Sequence, residues 1–289
     1  MRSEAEMLDL ILGVAKADER IRAVVLNGSR ANPNAPKDIL QDFDVVYIVT
    51  DAQPFNHNWT WLAQFGERAI LQMPDEMGGK APDPRKVVYL MQFTDGNRID
   101  LSIATLERWR EDGPDSLTIV LLDKDGILGG VPVPGEADYW VKPPTEAQYQ
   151  NCCNEFWWVL PYVVRGLWRG EVTYAHAMLD EVCREELLRM VGWDVGSRHA
   201  FEVNVGKAGK WLQRYLTAND WQMLLATYAG GEVEEIWAAV MSMEALFGSV
   251  GRQVGERFGY AYPHEDEQRV LALVDRIHRT PPGAGDLAE

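Results

Sequence analysis

"VVLNGSRANPNAPKDILQDFDVVYIV", residues 24–49, contains two short apolar runs joined by a polar loop, and the second run opens on two aspartates. The first run begins at Ile21, is β-branched and stops at Asn27-Gly28, as a strand entering a turn does. The second run, from Phe43 to Asp51, reads as another strand. Strands avoid aspartate, so Asp42 and Asp44 need a reason to stand one residue apart at a strand mouth. Side chains alternate across a strand, so the two carboxylates point the same way while Phe43 enters the core. Such a pair on rigid backbone suits Mg²⁺, which takes hard oxygen ligands and completes its octahedron with phosphate and water. Just upstream, Gly28 lets backbone N–H groups approach a phosphate, and the Ser29 hydroxyl adds a donor. Arg30 is the right side chain to pair with phosphate oxygens. A third acid, Asp100 in "RIDLSI", sits mid-strand with no packing reason to be there. Each feature alone has a plainer reading: a solvated strand end, a common turn, an edge residue facing water.

Outward from this stretch, residues 3–17 carry apolar positions at helical spacing, with acids among them. They predict an amphipathic helix and not a signal peptide. "WTWLAQFGERAI" predicts a helix, "KVVYLMQFTDG" and "NRIDLSIAT" a hairpin around Asp95-Gly96-Asn97, and "LTIVLLDKDG" a last strand. This mixture predicts α/β architecture for the first 130 residues or so. "GGVPVPGEADYWVKPP", rich in proline and glycine, reads as a linker or crossover. Beyond it only helices are expected, in "EAQYQNCCNEFWWVLPYVVRGLW", "YAHAMLDEVCREELLRMVGW", "KWLQRYL" and "EEIWAAVMSMEALFGSVGRQVGERFG", with Pro161 kinking the first. The expected division is 1–135, 136–280 and a disordered tail, 281–289.

The chain of 289 residues has net charge −16, with acid in excess in both halves. No basic run offers a grip on nucleic acid, and such a field repels polyanions and draws cations. No apolar run approaches the ~20 residues of a membrane helix. Three cysteines make no disulfide framework, so the cytoplasm is the expected compartment. No obligate protein partner is evident, and the five histidines lack zinc-ligand spacing.

The order strand, Gly-Ser, Asp-x-Asp and later strand Asp resembles the nucleotidyltransferase superfamily related to DNA polymerase β. The blocks "LQDFDVVYIVTD", "DGNRIDLSI", "CCNEFWWVLPYVVRGLWRGE" and "ELLRMVGW" resemble more closely the aminoglycoside 6-adenylyltransferases, the streptomycin adenylyltransferases. The likeness runs from the first residues to about Tyr262. One departure is Ala31, where that family leads one to expect threonine after Gly-Ser-Arg. The resemblance implies an α+β protein: a polymerase β-like mixed sheet with helices, followed by an all-helical C-terminal domain. It implies ATP as co-substrate, two Mg²⁺ ions on Asp42, Asp44 and Asp100, and the triphosphate over Gly28, Ser29 and Arg30. It further implies that AMP passes to the 6-hydroxyl of streptomycin, a cationic aminoglycoside, with Asp100 taking the hydroxyl proton or helping to hold the metal.

In the second domain Glu186 falls at the centre of an apolar helix face formed by Leu179, Val182, Cys183 and Met190, with Asp180 toward its edge. A carboxylate there is costly unless paired, so it contacts either the drug's guanidinium groups or an arginine from another helix. Glu155 lies at the border of its helix's apolar face, and Trp157 and Trp158 are of a type that stacks on guanidinium, though tryptophan is as readily core. "NVGKAGK" fails the P-loop spacing. The family brings a lysine from this region to the triphosphate, which makes Lys207 and Lys210 candidates unless they are only solvated. Two other functions remain open: transfer to a different small-molecule or protein hydroxyl, and non-catalytic binding of nucleotide or drug.

Overall fold

β1 (Ile21–Asn27) is an interior strand, and its alternate residues are apolar on both faces. Val24 and Leu26 join one core cluster and Ala23 and Val25 another. In the computed structural model, which describes residues 1–79 and 81–288, it lies in a six-stranded sheet. The other strands are β2 (Phe43–Val49), β3 (Arg68–Gln72), β4 (Lys86–Phe93), β5 (Arg98–Thr105) and β6 (Ile119–Asp123). Their spatial order is β3-β4-β5-β2-β1-β6. β2 and β5 run parallel and the remaining neighbours antiparallel, so the sheet is mixed.

One face is covered by α1 (Glu4–Ala17), started by a capping box between Ser3 and Glu6, which meets two otherwise unbonded N–H groups. Its Met7, Ile11 and Ala15 are fully buried, and the Tyr47 hydroxyl of β2 donates to the Ile11 carbonyl at 2.6 Å. A single short turn of helix, α2 (Gly28–Ala31), follows β1, and another, α3 (Trp59–Leu62), leads into the buried Phe65. α4 (Leu106–Asp112), capped by Thr105, packs Trp109 against the opposite face.

The helix expected over "WTWLAQFGERAI" is corrected. It ends after one turn at Leu62, and Gly66 takes φ +117°. From Arg68 the chain becomes β3, because the free edge of β4 offers pairing to any strand that reaches it. The hairpin at Asp95-Gly96-Asn97 forms as read, with Gly96 at φ +90°.

The chain divides into two compact units between Asp138 and Tyr139. In the second, α5 (Glu146–Trp168) begins with a Thr145–Gln148 capping box and runs on through Pro161. α6 (Val172–Ala177) passes through a π-helical turn, Met178–Cys183, into α7 (Arg184–Arg198). α8 (Ala218–Leu225), α9 (Val233–Phe258) and α10 (His264–Arg279) complete it. Phe156 of α5 stacks on Phe247 of α9 at 3.7 Å in the middle of this unit's core. Among its described residues there is no strand, as expected. "KWLQRYL" forms only a 3₁₀ turn at Leu212–Arg214, since Gly206 and Gly209 hold left-handed backbone just before it. Residues 281–288 carry turns, and the Ala288 carbonyl accepts from Arg276. The three cysteines are buried and free, and no described helix is long and apolar enough to cross a membrane.

Candidate active site

The parallel pairing of β2 with β5 sets Asp44 directly opposite Asp100, while on its other side Asp44 faces Asn27 of β1. Asp42 precedes β2, and Phe43 between the aspartates is fully buried, as strand alternation requires. One carboxylate oxygen from each of Asp42, Asp44 and Asp100 lies within 4.8 Å of the others, and all three residues are half-buried. Gly28 is demanded twice over here. Its φ of +70° suits glycine, and a Cβ would run into the Asp44 carboxylate.

Three like charges this close are expensive, and the cost falls on Asp44. Burial first, then the charges of Asp42 and Asp100, push its carboxyl up to about 7, against the opposing pull of Arg98. Arg98 donates through Nε and Nη2 to both oxygens of Asp100, at 2.7 and 2.6 Å, and its Nε stands 4.0 Å from Asp42. The guanidinium is thus the cluster's counter-charge. Sequence reading passed over Arg98, although residues two apart on a strand share a face and the spacing Arg-x-Asp was legible in "RIDLSI".

Ser29 is half-buried, its hydroxyl taking a long bond from the Gln41 amide at 3.4 Å. Arg30 does not extend free toward solvent. It donates to the carbonyls of Asp42 (2.9 Å) and Gln41 (2.7 Å), pairs with Glu4 and lies 3.7 Å over the Phe43 ring. Its side chain is 6% exposed, so its charge holds the approach to β2 in place.

The candidates in the helical unit lie on several elements. Glu186 is buried but meets Arg189 through both oxygens, at 2.7 and 2.6 Å, so its partner comes from its own helix and not another. Asp180 is paired with Arg184 at 2.7 Å and approached by His176 at 3.3 Å. Glu155 is exposed, Trp157 is buried edge-on to Phe247, and Trp158 is exposed. Lys207 and Lys210 are both exposed at a 3₁₀ turn, with the Lys210 ammonium 5.0 Å over the Trp211 ring.

The carboxylate set consists of hard oxygen donors carrying more negative charge than Arg98 offsets, which fits a divalent cation. Known proteins bear on what such a site does. The sequence profile of the family described as streptomycin adenylyltransferase matches residues 1–277. An aminoglycoside 6-adenylyltransferase of Bacillus subtilis (strain 168) is 41% identical over 271 residues, covering 92% of this chain and 95% of the relative. Relatives of the same description from Campylobacter jejuni and Staphylococcus aureus are 40% and 35% identical, each over at least 92% of either chain. A crystal structure of an aminoglycoside 6-adenyltransferase from Bacillus subtilis aligns over 97% of this chain and 100% of its own, at 35% identity and a TM-score of 0.49. The sequence matches, with the mixed sheet and its three acids, define a nucleotidyltransferase. Within that class the chain belongs to the streptomycin adenylyltransferase family.

Proposed function

We propose that this chain is a cytoplasmic, ATP-dependent adenylyltransferase that passes AMP to the 6-hydroxyl of streptomycin and releases pyrophosphate. The observation that carries the reading is the meeting of Asp42, Asp44 and Asp100 across the β2–β5 pair. These carboxylates would hold Mg²⁺, one ion or two, which when bound neutralises phosphate charge and acidifies a nearby hydroxyl. The turn at Gly28-Ser29 gives a phosphate room to approach backbone N–H groups, with the Ser29 hydroxyl as a further donor. Arg30 serves by fixing the carbonyls of Gln41 and Asp42, which keeps the two aspartates in register. An Asp100 oxygen takes the proton of the attacking hydroxyl as the new bond to the α-phosphorus forms and the bond to pyrophosphate breaks. Arg98, its present partner, steadies that carboxylate and must yield as the site fills. Positioning and charge neutralisation supply most of the acceleration. Exposed Lys207 and Lys210 are available to a triphosphate, and Glu155, Trp157, Asp180 and Glu186 remain substrate candidates, the last two only by releasing their arginines. The acid excess of the whole chain draws a polycation and not a nucleic acid.

The test is mass spectrometry of streptomycin incubated with protein, ATP and Mg²⁺, beside Asp100→Asn. The expected result is one AMP added by the wild type and a rate about a thousandfold lower in the variant. Unmodified drug with ATP consumed on another hydroxyl compound moves the reaction to that acceptor. Drug bound and never modified makes the protein a binder.

A further inference from the structure

The register of the sheet sets a row of polar side chains across the strands. Asp44 of β2 is opposite Asp100 of β5 on one side and Asn27 of β1 on the other. The row continues to Thr118, just before β6, whose hydroxyl donates to Asn27 Oδ1 at 2.9 Å. Directly opposed residues share a face of a sheet, and the packing of their neighbours agrees. Val25, two before Asn27, and Val46, two after Asp44, both pack in the cluster that holds Trp109. Ile99 and Leu101, which flank Asp100, pack in the cluster on the other face. Asn27 therefore opens on the same face as the acids.

Half of the Asn27 amide has no structural use. The residue precedes α2, but its side chain makes no capping bond to that turn. Its Oδ1 is taken by Thr118, which is 2% exposed, while its Nδ2 donates to nothing among the described residues. The Thr118 bond also fixes which way the amide faces. Turned over, it would present Oδ1 toward the Asp44 carboxylate, and two acceptors repel. Asn27 is half-buried, so its N–H groups are held still and yet remain within reach of a ligand. A carboxamide donor brings no charge of its own. Beside three acids it neither competes with a cation nor quenches them, and it suits an anion that arrives with its own cation.

We propose that the Asn27 amide donates to the departing pyrophosphate, and that Thr118 is the residue that positions it. The assignment rests on the adenylyl transfer proposed above. In such a displacement the entering and leaving oxygens stand in line on opposite sides of the phosphorus. As the acceptor oxygen bonds the α-phosphorus its proton passes to Asp100, and the breaking bond leaves its electron pair on the pyrophosphate oxygen. Neighbouring strands are about 4.8 Å apart, which puts the backbone of Asn27 about 10 Å from that of Asp100, beyond Asp44. The proton acceptor thus stands at one end of the row and a fixed N–H donor toward the other, where negative charge grows. A donor so placed gains most as the transition state forms, which is how a hydrogen bond accelerates a reaction.

The experiment is calorimetric titration of the full chain with pyrophosphate in saturating Mg²⁺, on wild type, Asn27→Ala, Asn27→Asp, Thr118→Val and Thr118→Ser. Binding of Mn²⁺ without pyrophosphate is read on each by electron paramagnetic resonance. Pyrophosphate affinity is expected to fall about tenfold in Asn27→Ala, the scale of one hydrogen bond to a charged partner. It should fall further in Asn27→Asp, which sets another carboxylate in the row, and less in Thr118→Val. Thr118→Ser, which keeps the hydroxyl, should recover the loss. Mn²⁺ affinity in Asn27→Ala should match wild type, because the amide is no metal ligand, and kcat should drop more than the KM for ATP rises. Unchanged pyrophosphate affinity in Asn27→Ala overturns the assignment, as does a wild type that binds no pyrophosphate. An equal loss of Mn²⁺ affinity in Asn27→Ala also overturns it, since Asn27 then only holds the aspartates in place. Weakened pyrophosphate binding in the variants with no AMP transfer to any aminoglycoside leaves the donor and removes the acceptor. AMP transfer at wild-type rate and affinity in the variants does the reverse.

Discussion

Replacing Asp44 by asparagine should stabilise the metal-free protein at neutral pH. In the folded chain Asp44 holds its proton up to about 7, against an ordinary value of 3.8, because it is buried between Asp42 and Asp100. Between those two pH values the unfolded chain has released the proton and the folded chain retains it, so stability falls as pH rises across the window. Three pH units at about 1.4 kcal/mol each set an upper bound of about 4 kcal/mol. Partial exposure and movement of Arg98 reduce this to about 2 kcal/mol, or roughly 4–8 °C in melting temperature. Asparagine has the same shape, so it can lie over Gly28 as the aspartate does. The assay is thermal melting of wild type and Asp44→Asn from pH 4 to pH 9 in chelator. The variant should match wild type near pH 4 and lead it increasingly up to pH 8. Saturating Mg²⁺ should then reverse the order, since only the wild type keeps all three ligands. A difference flat with pH, or a variant less stable at pH 8 in chelator, would refute the account of why Asp44 is strained.

Arg98→Gln should lower the stability of the metal-free protein and tighten Mn²⁺ binding by about tenfold, because the ion no longer has to displace a guanidinium from Asp100. Electron paramagnetic resonance titration of free Mn²⁺ reads this directly, and unchanged or weaker binding would count against it. Gly28→Ala should cost at least about 1–2 kcal/mol in urea unfolding, from the left-handed backbone and from contact with the Asp44 carboxylate. It should also weaken Mn²⁺ binding, because the aspartate must move aside.

Which parts of this were legible beforehand follows from the range over which each acts. Two-residue alternation alone sends Phe43 inward and Asp42 and Asp44 the same way, and Asp95-Gly96-Asn97 announces its own hairpin. α10 was overlooked although its first turn holds Glu265, Asp266 and Glu267 and its last holds Arg276, His278 and Arg279, the charge order a helix dipole favours. Arg98 was equally open to reading. β3 was not. "ERAILQ" has no strand signal strong enough to compete with the helix before it, and only the free edge of β4 made it a strand.

The order of residues by itself determined the turn at Gly28, the paired aspartates, the acidic field and the change from mixed structure to helices after the proline-rich crossover. Those are properties of neighbours along the chain. Tertiary structure decided who faces whom: that parallel pairing brings Asp100, more than fifty residues on, opposite Asp44; that Arg30 turns inward onto Phe43; and that Glu186 finds Arg189 while the buried Oε2 of Glu244 meets no partner among the described residues. A carboxylate reads the same in sequence whether it will be paired or left unmet. Its charge is settled by burial and by the partners the fold brings within a few ångströms, and neither is a local quantity.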